Sequence, residues 1–208
     1  MDDPSRNAGG QGQEIRGDAL VPRASVAVGL RELCRALHAI GIETEERQGS
    51  RGFLDDVRIE HGRILHSPGA RASNILHEAG HLACLPPMFR HRANDDLDDI
   101  AKVMCAYADE RIALTLDPEE PIIRAIMQCS DPEATAWAWA FGTRLGMKPE
   151  DIIEDQDYDG DGAHVRLQVS TGMYIGINGL RAAGMIDSVK SWPNMTKWLQ
   201  DAEEGPSK

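Results

Sequence analysis

The spacing of apolar residues along the chain predicts a mostly helical fold with one early pair of strands. Apolar side chains recur at helical spacing over residues 26–40, and Gly41 follows as a natural end for that helix. Short apolar runs flank His61 and Gly62, a pair that favours a tight turn, so residues 54–66 are predicted to form a β-hairpin. The pattern therefore predicts an α+β fold in which a small hairpin precedes a largely helical remainder.

Helical spacing dominates the chain after this hairpin. Ser73 and Asn74 offer an N-cap for a helix that the two prolines at 86 and 87 would end. A second strong start lies at Asp131-Pro132-Glu133, with Asp131 as the N-cap and an acid in the first turn. Further helices are predicted at about residues 95–116, 119–129, 132–146, 173–185 and 194–199.

Composition places these elements in one domain. Residues 1–24 combine several glycines with many charges and few apolar side chains, which predicts a flexible N-terminal tail. With 41% hydrophobic residues in the chain, residues 25–200 can build one core, and residues 201–208 are predicted to be a flexible C-terminal tail. We therefore expect a single domain between two tails.

Charge and cysteine content narrow the possible function classes. The 34 acidic residues outnumber the 22 basic ones, and a net charge of −12 argues against a nucleic-acid surface, which needs clustered lysine and arginine. No apolar run is long enough to cross a membrane, and the polar N-terminus carries no export signal. The four scattered cysteines predict buried thiols in a reducing compartment. We expect a cytoplasmic protein without nucleic-acid or membrane partners.

The pentad HEAGH at residues 77–81 is the segment whose spacing indicates a specific chemistry. On a helix, His77 and His81 stand one turn apart on the same face, so both imidazoles can bind one Zn²⁺. Glu78 then lies beside the metal, where its carboxylate can take a proton from an activated water and pass it to a leaving amine. The alternative is a surface helix that carries these side chains without a metal.

Two histidines leave a catalytic zinc site incomplete, because such sites usually have three protein ligands and one open position. Two downstream glutamates are candidates for the third ligand. Glu110 falls on a stripe with Val103, Tyr107 and Leu114, the predicted apolar face of its helix, where a carboxylate would need a partner. Glu133 lies in the first turn of a predicted helix, and its alternative role is to stabilise the helix dipole.

The segment Glu133-Ala134-Thr135-Ala136-Trp137-Ala138, downstream of HEAGH, resembles the ImmA/IrrE class of bacterial zinc metallopeptidases. That resemblance covers two short segments and implies that Glu133 is the third zinc ligand. It also implies a zincin-like domain, with the hairpin or a small sheet packed on the HExxH helix, and a peptide or protein substrate. The C-terminal half resembles uncharacterised bacterial proteins that contain HEAGH, and this second resemblance implies no activity.

Three further features are candidates for a functional role. His164 and Tyr158 could stabilise an oxyanion or bind substrate, as His and Tyr do in many hydrolases. Residues 155–161 match the front of a calcium loop, but Arg166 stands where the bidentate glutamate belongs, so an acidic turn is the better interpretation. His66 ends the predicted edge strand and could face the cleft.

The sequence thus predicts a zinc-dependent hydrolase, most simply a peptidase, that binds one Zn²⁺ per chain. The alternative is a non-catalytic module in which zinc stabilises a binding surface. A site with three protein ligands and an open fourth position would favour the enzyme, and a site closed by four protein ligands would favour the module.

Overall fold

The computed structural model describes residues 28–95, 97–203 and 205, and the predicted N-terminal tail lies outside these residues. The fold is α+β and mostly helical, as predicted. The helices in the described part are α1 (Leu30–Ala39), α2 (Ala72–Cys84), α3 (Pro87–Arg90), α4 (Leu97–Thr115), α5 (Pro121–Ile126), α6 (Asp131–Arg144), α7 (Pro149–Ile152), α8 (Gly162–Ser170) and α9 (Ile175–Ala182). The strands are β1 (Thr44–Glu46), β2 (Val57–Glu60) and β3 (Arg63–His66).

The predicted β-hairpin is confirmed and belongs to a three-stranded sheet of order β1-β3-β2. Strands β2 and β3 pair antiparallel, with Val57 opposite His66. The turn between them has positive φ at both His61 (52°) and Gly62 (73°), the backbone that a two-residue hairpin turn requires. Strand β1 joins β3 in parallel, a pairing that was not predicted. The sheet packs on α2, so the hairpin supports the helix that carries HEAGH.

Helix α2 lies at the centre of the molecule. It packs on α6, and α6 packs in turn on α9. Small residues bring these helices into backbone contact: a Cβ on Gly80 of α2 would lie 2.8 Å from the Cα of Ala134 in α6. At the second contact, a Cβ on Gly176 of α9 would lie 2.9 Å from the backbone nitrogen of Glu133. Real Cβ atoms essentially never come under 3.0 Å, so both contacts require glycine.

Aromatic residues fill the C-terminal end of α6. Trp137 is fully buried and stacks on Phe141 with ring centroids 4.8 Å apart. Trp198 meets both rings edge-on, and its carbonyl accepts a hydrogen bond of 2.8 Å from Trp137 Nε1. The predicted helix at residues 194–199 is wrong, because this segment is an irregular strap that lays Trp198 on α6.

The predicted starts of two helices also differ from the structure. Helix α2 begins at Ala72 with Arg71 as the N-cap, two residues before Ser73, the first of the predicted caps. The Ser73 hydroxyl donates instead to Glu154 Oε1, 2.7 Å away, and the Asn74 amide donates to the Asp55 carbonyl, 2.9 Å away. Helix α6 has Ser130 as its N-cap, so Asp131 is the first helical residue and its side chain is not used as the cap.

No helix in the described part of the chain has both the length and the apolar character that a membrane crossing needs. The predicted C-terminal tail is described only at residues 201–203 and 205, and its remaining residues lie outside the structure described here.

Candidate metal centre

His77 and His81 converge on one point at the surface of α2. Their Nε2 atoms are 3.1 Å apart, and the two rings meet edge to face at 81°. His81 is buried and His77 is half-buried. Positions i and i+4 of a helix share a face, which is why the pentad brings these two nitrogens together.

Asp131 completes a group of three potential metal ligands. Its Oδ1 atom lies 3.1 Å from His81 Nε2 and 3.6 Å from His77 Nε2. The two imidazoles, with His77 having the larger effect and His81 the next, hold the pKa of the Asp131 carboxyl well below its usual value through hydrogen bonding. Over the described residues, no other set of three or more His, Cys, Asp or Glu side chains converges in this way. The three residues could hold one metal ion.

The local structure of α6 explains why Asp131 faces the histidines. Ser130 caps the helix, and the Glu133 carboxylate accepts hydrogen bonds from the Ser130 backbone N–H (3.1 Å) and hydroxyl (2.6 Å). This reciprocal cap leaves the Asp131 side chain unused by the helix terminus. The contact of Gly80 with Ala134, one turn further along α6, then sets Asp131 beside His81.

Neither predicted glutamate is brought into the group. Glu133 is buried under α9, so closely that a Cβ on Gly179 would lie 2.5 Å from the carboxylate carbon of Glu133. The Glu133 carboxylate is used by the cap of α6. Glu110 is exposed on α4. The predicted apolar face of α4 is wrong, because Val103 and Leu114 are exposed; the buried residues of this helix are Ile100, Met104, Ala108 and Arg111.

Glu78 is buried behind the two histidines, with 6% of its surface exposed. Burial raises the pKa of its carboxyl, and the positive potential of His81 and His77 opposes that rise. No hydrogen bond from a described residue contributes to the pKa of its carboxyl, and its oxygens are not among the buried side-chain atoms that lack a partner. The residue therefore keeps its hydrogen-bonding capacity next to the group of three.

Two cavities meet at these residues, and Asp131 lines both. The first, of about 240 Å³, is lined by His77, Thr135, Tyr158 and Tyr174 among others, and we call it the tyrosine cavity. The second, of about 400 Å³, is the apolar cavity; besides His81 it is lined mainly by apolar and sulfur-containing side chains, including Leu85, Met104, Ile126, Met127 and Cys129. The group of three thus lies on the ridge between two openings.

Tyr158 lies in the tyrosine cavity, as a substrate-binding residue would, whereas His164 does not. The Tyr158 hydroxyl is 3.0 Å from Thr135 Oγ1, and burial raises its pKa to about 12, so it remains a hydrogen-bond donor at neutral pH. His164 is exposed on α8, lines neither cavity, and lies 2.8 Å from the Gln168 amide. Tyr174, which the sequence did not single out, lines the same cavity as Tyr158.

Asn74 also lines the tyrosine cavity, one turn before His77 on α2. Its amide nitrogen is used by the Asp55 carbonyl, but its buried Oδ1 atom has no hydrogen-bond partner among the described residues. An unpaired buried acceptor is costly unless a ligand completes it. Because the atom is enclosed, a bound molecule would reach it only after a neighbouring side chain moves.

The acidic segment at residues 155–161 begins as one turn of 3-10 helix, and two of its four aspartates pair with arginines. Asp155 lies 2.9 Å from Arg166, and Asp157 lies 2.7 Å from Arg71. Arg166 occupies the position where a calcium loop has its bidentate glutamate. Its guanidinium pairs with Asp155, the first acid of the segment.

A scan of the chain against protein-family models, a search of curated proteins and a search of solved structures each found no match. Its function therefore has to be inferred from the geometry of the site.

Proposed function

We propose that the protein is a zinc-dependent hydrolase, most simply a peptidase, with His77, His81 and Asp131 as the zinc ligands. The single observation that carries this proposal is the spacing of the three ligand atoms, at 3.1, 3.1 and 3.6 Å. Ligand atoms of a tetrahedral zinc with bonds of about 2.0–2.1 Å lie about 3.3 Å apart. One zinc ion would therefore fit this group with little movement of the side chains.

The donor set and its exposure favour a catalytic site. Two imidazoles and one carboxylate form a ligand set used by zinc hydrolases, in which the fourth position is left open. The Asp131 side chain is 79% exposed and borders both cavities, which supports access from solvent and from a substrate. A zinc ion held here would polarise a carbonyl group and make water a better nucleophile at neutral pH.

Glu78 is proposed as the general base and then the general acid. Glu78 follows His77 directly and is buried, and no hydrogen bond from a described residue contributes to the pKa of its carboxyl. It would take a proton from the attacking water, hold it on a carboxylate oxygen, and deliver it to the leaving amine nitrogen. The low polarity of its surroundings would strengthen each of these hydrogen bonds.

The tyrosine cavity supplies a hydrogen-bond donor that suits an amide substrate. The neutral hydroxyl of Tyr158 can donate a hydrogen bond to a carbonyl oxygen as negative charge develops on it. A peptide bound across the ridge would extend one flank into the tyrosine cavity and the other into the apolar cavity.

All four cysteines are free thiols, so we expect the enzyme to act in a reducing compartment such as the cytoplasm.

The test is the Glu78→Gln variant of the zinc-loaded protein, assayed against a mixed peptide library with products identified by mass spectrometry. The variant should bind one zinc and lose about a hundredfold or more of the cleavage rate, because the amide cannot accept the proton. Glu119→Gln, at an exposed acid outside both cavities, is the control and should cleave as the wild type does. Equal cleavage by wild type and Glu78→Gln would overturn the mechanism.

One observation favours a second candidate, a non-catalytic module whose zinc stabilises a binding surface. Glu78 lines neither of the two cavities described above, as expected if the site is structural. The two candidates predict the same zinc content and differ in turnover. A wild-type protein with one zinc that cleaves no member of the library, yet loses stability on metal removal, would favour the module.

A further inference from the structure

Cys34 and His66 form a pair in a third cavity, which none of the three candidate metal ligands lines. Cys34 Sγ on α1 lies 3.5 Å from Nε2 of His66, the last residue of β3. His66 therefore faces a thiol, and it does not line either cavity at the metal centre. Its ring is buried, with 4% of the residue exposed.

The hydrogen bonds of His66 define which nitrogen is basic. Its Nδ1 atom is 3.1 Å from the carbonyl oxygen of Ser67. A carbonyl can only accept, so Nδ1 carries the proton and Nε2 of the neutral ring is the acceptor that faces Cys34. This is the arrangement of an activated nucleophile: a thiol, a base within hydrogen-bonding reach, and a third group that orients the base.

The cavity beside this pair has a volume of about 340 Å³ and a cationic side. Arg31 and Arg35 line it from the same face of α1 as Cys34, and both side chains are exposed. Among the described residues, neither arginine forms an ion pair, although Glu46 also lines the cavity. On a chain with a net charge of −12, two such arginines beside a thiol would attract a small anion.

We propose that Cys34 is a nucleophilic thiol that His66 activates and that exchanges with small anionic disulfides to form a mixed disulfide. The thiol proton passes to His66 Nε2, and the Cys34 sulfur attacks one sulfur of the incoming disulfide. A new sulfur–sulfur bond forms as the original one breaks, and the departing thiolate takes up the proton. Cys34 is oxidised and the released thiol is the reduced product, so no further oxidant is required. The site is independent of the proposed zinc chemistry.

The other cysteines provide internal controls. Cys84 is fully buried. Cys129 donates its thiol proton to the Ile126 carbonyl at 3.0 Å, and burial raises its pKa to about 12, which keeps it protonated. Cys105 is exposed, whereas Cys34 is only partly exposed. Accessibility alone therefore predicts that Cys105 reacts first, and the Cys34–His66 pair predicts the opposite order.

The experiment treats the full-length, zinc-loaded chain with a limiting amount of 5,5′-dithiobis(2-nitrobenzoate), an anionic disulfide, and locates the adduct by peptide mass spectrometry. Cys34 should react at least about tenfold faster than Cys105. A faster reaction at Cys105 would overturn the proposal. This comparison uses the unmodified protein, so it holds whether or not any variant folds.

Two variants separate the roles of the base and the arginines. His66→Asn should slow the Cys34 reaction at least about tenfold and leave the Cys105 rate unchanged, which also reports that the fold is intact. Arg31→Gln combined with Arg35→Gln should slow the reaction of Cys34 with the anionic disulfide but not with cystamine, a cationic one. An unchanged Cys34 rate in His66→Asn, or equal effects on both disulfides in the arginine variant, would contradict the assigned roles.

Discussion

Gly80 of α2 lies directly against the backbone of Ala134 in α6, so close that a Cβ at residue 80 would overlap it. Asp131 lies one helical turn before Ala134, and His81 is the residue after Gly80. The contact therefore fixes the distance between the carboxylate of one helix and the imidazole of the other. The glycine of HEAGH thus allows the approach that brings the three candidate metal ligands together.

Replacement of Gly80 by alanine should disturb this contact. The added methyl group must push α6 away from α2, so zinc affinity should fall at least about tenfold and the free energy of unfolding by about 1–3 kcal/mol. The better helix propensity of alanine offsets up to about 1 kcal/mol of that loss. Urea unfolding and zinc titration against a chromogenic chelator measure the two effects. Gly69→Ala is the control, because a Cβ there meets open space; equal behaviour of the two variants would contradict the contact's role.

Variants of three carboxylates test which of them is the third metal ligand. Asp131→Asn should lower zinc affinity about a hundredfold or more, since the amide is a poor zinc ligand. Glu133→Gln should keep zinc and lose about 1 kcal/mol of stability through its weaker cap on Ser130. Glu110→Gln, at an exposed position on α4, should change neither quantity. Loss of zinc in Glu133→Gln with retention in Asp131→Asn would reverse the assignment.

The raised pKa of Tyr158 predicts a loss of stability in alkali. In the unfolded chain the phenol ionises near pH 10, whereas in the folded protein it holds its proton to about 12. The folded state binds more protons in this window, so this contribution is complete below pH 10 and disappears as the pH rises to 12, an effect of up to about 2–3 kcal/mol. Urea midpoints at about pH 8 and pH 11 measure it. The Tyr158→Phe variant should decline less over the same interval, and parallel declines would contradict the prediction.

Metal removal should destabilise the protein. Zinc that binds only the folded state adds about 2.7 kcal/mol when its free concentration is a hundred times the dissociation constant. For a chain of this size, chelation should lower the melting temperature by about 5–10 °C. Differential scanning calorimetry with and without chelator gives the shift, which should be nearly absent in the His77→Ala variant. If chelation lowered the melting temperature of His77→Ala as much as that of the wild type, the stabilising metal would bind at another site.

The features that could be predicted from the sequence depend on short-range geometry. The hairpin follows from the His61-Gly62 turn, and the shared face of His77 and His81 follows from the period of a helix. The role of Asp131 could not be predicted, because both Ser130 and Asp131 are good N-cap residues and only one can be the cap. The tertiary contact at Gly80 then decides where the unused carboxylate lies, and local sequence carries no signal for such a contact.

The face of α4 was misjudged for a related reason. Arg111 is buried on this helix and pairs with Glu120, whose carboxylate lies 2.8 Å from its guanidinium, while the apolar Leu114 is exposed. The buried face of α4 therefore combines Ile100, Met104 and Ala108 with one arginine, and this arginine interrupts the apolar pattern from which a helix face is predicted. The prediction that Glu110 lies on the buried face of α4 depended on that pattern and is therefore wrong.

The most direct measurement is a crystal structure of the zinc-loaded protein with anomalous diffraction recorded on both sides of the zinc edge. The proposed centre predicts one strong peak, with Nε2 of His77, Nε2 of His81 and a carboxylate oxygen of Asp131 each about 2.0–2.2 Å away and a non-protein atom as the fourth ligand. A peak bound by Glu133 or Glu110 in place of Asp131, or no zinc between the two histidines, would contradict the account.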